Sequence, residues 1–371
     1  MSDERLLATF LDLVRIDSPT GDEAGVATYV AHALDAAGMD VRLDDSPGAT
    51  GSNVGNIIAT LPGTVPGRVL VLSAHMDTVE PGRGVEPVVI DGIVRSLGDT
   101  VLGADDKAGI AAIIESVRRL HESGAPHAEV RALITVGEEQ GLLGAKHLPP
   151  DAAAGDVCLV LDADGEPGGI VTAAPTHYTF TATFLGRSAH AGVEPEKGVS
   201  AIVMASRAIS GMELGRLDAE TTANIGSIGG GRATNVVAET TMITGECRSL
   251  DPVRAIAARD AMDLSMHRAA SEAGGSAAIT WHKEYDGFRF PDDDPSLLFV
   301  IGCCREAGLT PRTFATGGGS DGNVFAAHGT PTFVLSSGMR DVHSTGEWIA
   351  VADLEALTRL LDVAVFRAVE G

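Results

Sequence analysis

Short apolar runs recur along the chain, and stretches of helical spacing lie between them. Residues 56–61, 68–74, 129–136, 158–161 and 332–335 are rich in Val, Ile and Leu and are bounded by Gly, Pro or polar turns. Such runs read as strands buried on both faces of a sheet. Between them, Leu6, Leu7, Phe10, Leu11, Leu13 and Val14 fall mainly on one helical stripe, and Val26, Tyr29, Val30, Ala33 and Leu34 repeat at helical spacing. Residues 107–121 carry a third and stronger helix pattern. Alternating buried strands and helices predict an α/β layer with helices on both faces of the sheet.

The texture changes near Pro175. Residues 178–185 and 240–247 alternate as half-exposed strands, 199–212 and 251–273 are helical, and 279–285 closes the set. This order suggests a small α+β domain over 176–287, inserted into a larger domain formed by 1–175 and 288–371. The α/β texture returns after Phe290, and 351–369 is a closing helix. The chain of 371 residues is long enough for two cores.

Charge narrows the function. Twenty-seven Lys and Arg face fifty-one Asp and Glu, a net −24. Phosphate backbones and anionic membranes attract clustered positive charge, so neither nucleic acid nor a membrane surface is expected as a partner. The four cysteines, Cys158, Cys247, Cys303 and Cys304, form no CxxC pair, which fits a reducing compartment. The N-terminus carries acids where a secretion signal wants bases, and no run approaches the ~18 apolar residues of a spanning helix. A cytoplasmic location is expected.

Ionisable residues collect just beyond the apolar runs. His75-Met76-Asp77 follows the second run, Asp105-Asp106 precedes the 107–121 helix, and Glu138-Glu139 follows the third run. Asp162 and Asp164 follow the fourth, and Asp341-Val342-His343 lies after the fifth. Each has a plain explanation by itself: a capped strand end, a helix cap, a solvated acidic turn. Together they place two His and several carboxylates where open α/β sheets bind ligands. Such a set suits zinc, cobalt or manganese. Asp106 is best explained as a helix cap, whereas Asp105, in the loop before it, is freer to bridge two cations.

The order of these motifs resembles the co-catalytic dizinc exopeptidases and amidases that include peptidase T, carboxypeptidase G, aminoacylase and succinyl-diaminopimelate desuccinylase. The resemblance runs from Ser18-Pro19-Thr20-Gly21 to His343. It implies an α/β metallopeptidase domain with a mixed sheet, and an inserted ferredoxin-like domain for lid and dimer contacts. It implies two divalent ions, zinc first and cobalt or manganese as alternatives. His75 and Asp162 would hold one, Glu139 and His343 the other, and Asp105 would bridge them. Asp164 is the rival to Asp162, two residues on in an extended chain. Asp77 would orient His75, and Glu138 would be the general base.

In the inserted domain, Gly186-Arg187-Ser188-Ala189-His190 resembles the segment whose histidine reaches a partner subunit's active site. His190 would then stabilise an oxyanion within a homodimer. Asn235 and Arg248 resemble substrate anchors for a carboxylate, with a salt bridge as the plainer role for Arg248. The strings LGADDKAGIA and LDADGEPGGIV lean toward the peptidase T-like branch, an aminopeptidase or tripeptidase acting on short peptides. An N-acyl amino acid deacylase or a carboxypeptidase would use the same ligands.

Two other classes compete. Gly318-Gly319-Ser320-Asp321-Gly322 fits a serine-hydrolase elbow, with Asp341 and His343 downstream, but residues 313–316 make a poor preceding strand. A catalytically inactive, metal-stabilised binding protein would show a damaged base or ligand, and none is damaged here.

Overall fold

A computed structural model describes residues 2–149 and 151–370. The chain divides into two compact units. One takes the chain up to Thr172, Phe290–Ala315 and the stretch from Ser320 onward; the other takes Ala173–Arg289 and Thr316–Gly319.

The first unit is built on a mixed sheet. Its order is Asp40–Leu43, Ile57–Leu61, Val130–Thr135, Leu70–His75, Val157–Ala163, Thr332–Ser336, Gly169–Ala174. The four strands from Val130–Thr135 to Thr332–Ser336 are mutually parallel. The outer pairings are antiparallel. Strand Leu70–His75 is buried along its whole length, as a central parallel strand covered on both faces should be.

Helix Ala104–Ser123 packs against this sheet and against the first and last long helices. Ile110, Ile113, Ile114 and Val117 are fully buried with Leu72, Leu357 and Leu361 in one apolar core. The helix departs from regular geometry at Asp105 and Asp106, so its regular part begins at Lys107, the residue at which the apolar pattern also starts. A smaller antiparallel sheet contains Pro87–Ile90, Ile93–Ser96, Trp348–Ala350 and Met339–Arg340.

The second unit has a five-stranded antiparallel sheet. Its long strands are Thr176–Leu185, Thr221–Gly230, Thr240–Ser249 and Ser276–Tyr285, and its helices are Ala201–Ser210 and Pro252–Glu272. The order strand, helix, two strands, helix, strand is the split βαβ pattern of ferredoxin-like units. Phe180, Phe184, Met204, Ile243 and Met266 fill the core between helices and sheet. Among the described residues, no helix is long and apolar enough to cross a membrane.

Candidate metal centre

Parallel strands present their C-terminal ends on one edge, and four of them supply the cluster. Leu70–His75 ends in His75, and Val130–Thr135 leads into Glu138 and Glu139. Val157–Ala163 carries Asp162 near its end, and Thr332–Ser336 leads toward His343. Asp105 enters from the start of helix Ala104–Ser123.

The two oxygens of Asp105 face different imidazoles. Oδ1 lies 3.0 Å from His75 Nε2, and Oδ2 lies 3.2 Å from His343 Nε2. Asp162 Oδ1 stands 3.6 Å from the same His75 nitrogen, and Glu139 Oε1 stands 2.9 Å from His343 Nε2. Ligand atoms of His75, Asp105 and Asp162 lie within 4.8 Å of one another, and so do those of Asp105, Glu139 and His343. Asp105 belongs to both sets. His75, Glu138 and Glu139 form a third, overlapping set. Asp164 is exposed and belongs to none of the three.

The ring of His75 is fixed from behind. Its Nδ1 donates to the main-chain carbonyl of Asp77 at 2.9 Å, leaving Nε2 directed at the carboxylates. The Asp77 carboxylate stands farther from Nδ1, at 3.4 Å, and has other work. Oδ1 accepts from Glu138 N at 3.0 Å, and Oδ2 accepts from Glu139 N at 3.2 Å and from the Thr20 hydroxyl at 2.7 Å. Buried Glu23 extends the pattern, accepting from Gly137 N at 3.2 Å and from the Ser52 hydroxyl at 2.6 Å. The glutamate turn is therefore held by its amides. Gly137 adopts φ +60°, a left-handed conformation that glycine takes without steric cost.

Electrostatics reinforce this reading. Burial pushes Glu138 well above the usual carboxyl range, and Asp162 adds to the effect. Asp162 is itself raised to about 7, first by burial. Burial opposes ionisation of Asp105 as well, but hydrogen bonds from His343 and His75 outweigh it and hold that carboxyl low. His343 is raised to about 10 by Asp105 and then Glu139. Burial disfavours a charged His75, yet Asp105, Asp162 and Asp77 together hold it well above the ordinary imidazole value. The carboxylates thus gather around whatever positive charge is available. Divalent cations can replace those protons, and a mixed imidazole–carboxylate donor set fits zinc, cobalt or manganese.

Asp106 is fully buried and its Oδ1 accepts from Gly109 N at 3.2 Å, the bond of a helix cap. Ser320 is also a cap: its hydroxyl accepts from Gly322 N at 3.2 Å in a reciprocal arrangement with Asn323. Residues Arg312–Ala315 before it form an exposed strand, and His343 faces Asp105 and Glu139. The serine-hydrolase reading therefore has neither its elbow nor its histidine.

Sequence reasoning passed over several groups. In the sequence Thr20 marks only the start of the family resemblance, and Glu23 and Glu347 carry no motif. Asp321 appeared only within the serine motif. It is buried, accepts a hydrogen bond from the Thr135 hydroxyl, and is raised to about 6 by burial.

The remaining predicted residues lie in the second unit. His190 and Asn235 are exposed neighbours: His190 forms a β-bridge with Val236, and Ala191 N donates to Asn235 O at 3.0 Å. Arg248 pairs with Glu246 through Nη2 at 2.9 Å and Nε at 3.2 Å. His177 Nε2 approaches the same carboxylate at 2.9 Å.

A mixed α/β sheet that delivers imidazoles and carboxylates from the ends of parallel strands defines a class of protein, one with a candidate two-cation hydrolytic centre. A family model described as Peptidase family M20/M25/M40 matches residues 71–367, and the chain belongs to that family of hydrolases. The YqjE protein of Bacillus subtilis (strain 168), described as uncharacterized, is 43% identical over 354 residues, 95% of each chain. The aminopeptidase PepT structure from Bacillus cereus ATCC 10987 superimposes with a TM-score of 0.93 at 42% identity, covering 100% of this chain and 99% of that one. A tripeptidase structure from Staphylococcus aureus subsp. aureus Mu50 gives 0.96 at 38% identity, with the same coverage.

Proposed function

We propose that the protein is a metal-dependent exopeptidase that removes the N-terminal residue from short peptides, tripeptides among them. The observation that carries this reading is the carboxylate of Asp105, whose two oxygens face two separate His-and-carboxylate sets. His75 and Asp162 would hold one divalent ion, Glu139 and His343 the other, and Asp105 both. Such ions supply Lewis acidity, lowering the pKa of a water and polarising a carbonyl.

The chain's own residues do the rest. Glu138 accepts a proton from the attacking water and returns it to the leaving amine. Asp77 sets the amides of Glu138 and Glu139, and its main-chain carbonyl fixes the His75 tautomer. His190 donates to the developing oxyanion across a homodimer. Asn235 and Arg248 receive the substrate carboxylate, which competes with Glu246 for the guanidinium fork. Residues 176–287 serve as lid and dimer contact for a catalytic domain of 1–175 and 288–371, and the enzyme works in the cytoplasm. The tripeptidase and aminopeptidase neighbours, which match this chain over its full length, support the choice of substrate.

The test uses chelator-stripped protein with zinc, manganese or cobalt added back, against matched tripeptides with free or acetylated amino termini. Metal-restored release of the first residue from free tripeptides alone is the expected result. Cleavage of acetylated substrates instead moves the protein to the deacylases, and full activity in stripped protein sinks the metal mechanism.

A further inference from the structure

Resting on the two-cation reading above, we infer that Glu347 is a positioning residue for the metal centre, clamping the backbone that carries the bridging Asp105. Glu347 lies at the end of the loop 341–347, which joins the paired strands Met339–Arg340 and Trp348–Ala350. The residue is 2% exposed. Oε2 accepts from Gly103 N at 2.7 Å, and Oε1 accepts from Asp105 N at 3.0 Å. A carboxylate removed from water requires such partners, and two amides occupy one oxygen each.

The arrangement at the other end of these bonds is equally specific. Gly103 sits at φ +73°, and a Cβ there would stand 3.1 Å from the Thr78 methyl. Lys107, buried one turn along, keeps its ammonium near Gly103 and within the field of Glu347, and donates to Ile16 O at 2.8 Å. The two amides that Glu347 binds therefore belong to a backbone stretch with a constrained path leading directly into Asp105.

The same loop carries His343, four residues before Glu347. One end of the loop thus presents an imidazole to Asp105 Oδ2, and the other end holds the Asp105 amide. The separation between a terminal donor and the shared carboxylate is set within a single short segment. Glu347 belongs to none of the three candidate ligand sets, and its role runs through the Asp105 backbone. Groups that orient ligands in this way commonly change metal affinity by 10–100-fold when altered.

Glu347→Gln tests this. A glutamine offers one acceptor oxygen and an NH₂ group that meets an amide N–H donor to donor. Stripped wild-type and variant proteins are titrated with zinc against a chromophoric chelator, with circular dichroism and thermal melting recorded on the metal-free forms. The expected result is zinc affinity weakened at least ~10-fold for one or both ions in a variant that remains folded at the assay temperature. A purely structural role would lower the metal-free melting temperature and leave affinity unchanged, and that result overturns the inference. Glu347→Asp keeps the charge and withdraws the carboxylate by one methylene, so it carries the same test should the glutamine variant not fold; wild-type affinity in either folded variant overturns the proposal. Wild-type protein that takes up no zinc sinks the two-cation reading, and this inference with it, before any substitution is made.

Discussion

Asp77 shows how one carboxylate supports several parts of the site. It accepts from two amides and a hydroxyl while its own carbonyl receives the His75 ring. Thr20→Val removes the hydroxyl donor without touching a ligand. We expect kcat/KM to fall about 10-fold with zinc stoichiometry unchanged, as for other groups that orient ligands; steady-state kinetics and metal analysis check this. Glu138→Gln should lower kcat by about 10²–10⁴-fold, the usual contribution of a general base, while the variant still takes up zinc. Loss of zinc along with activity would make Glu138 a ligand rather than a base. As candidates, His75, Glu138, Glu139, Asp162 and His343 were legible because they follow apolar runs, and Asp105 because it stands in the loop before a helix; it is their recurrence together that a plain explanation of each leaves unaccounted for. Thr20, Glu23 and Glu347 were not. They bind amides or another side chain's oxygen, and any well-placed donor or acceptor can do that, so no spacing marks them.

Elements were legible in proportion to their apolar periodicity. The buried strands and the helices over 2–15, 24–36 and 104–123 stand close to where the pattern puts them. Strand Thr221–Gly230 was missed. Its sequence, TTANIGSIGG, is polar and glycine-rich, and it becomes a strand through its register with Thr240–Ser249. Helix Pro295–Glu306 was also passed over, although Asp294 caps it and a proline opens it. At this scale burial fixes the cost of change. Ile113 is fully buried, so Ile113→Ala should destabilise the first unit by about 2–5 kcal/mol, measured by denaturant unfolding.

Strand Thr240–Ser249 supplies a pH test in the second unit. His177, and then Arg248, hold the Glu246 carboxyl down at about 2, against partial burial. A depressed folded pKa stabilises above the ordinary carboxyl value and loses that contribution as pH falls through the folded value. The difference in melting temperature between wild type and Glu246→Gln should therefore shrink as pH falls from about 5 toward 2. A gap that widens on acidification would refute the pairing as a source of stability.

Taken whole, the molecule assembles its centre from distant parts of the chain. The candidate ligands run from His75 to His343, and strand Thr332–Ser336 lies between Val157–Ala163 and Gly169–Ala174 rather than at an edge. The α/β class and the family were both legible from the order of motifs, and the M20/M25/M40 match agrees. What the apolar pattern did not reveal is this late insertion, because a run of Val, Ile and Leu specifies burial and not which neighbours it will have.

That placement has a consequence for synthesis. A nascent chain emerges from the ribosome with its N-terminus first, and strand Val157–Ala163 is out long before residue 332 is made. Until then its partner edge faces solvent, and an apolar strand with unpaired amides invites pairing with other chains. Ribosomes stalled shortly before residue 332 should therefore carry nascent chains that are readily cut by protease and readily bound by chaperones, and both signals should drop once residues 332–336 clear the exit tunnel. The last candidate ligand, His343, follows within a few residues of that strand, so closing the sheet and bringing the candidate cluster together become nearly one event in the life of the chain.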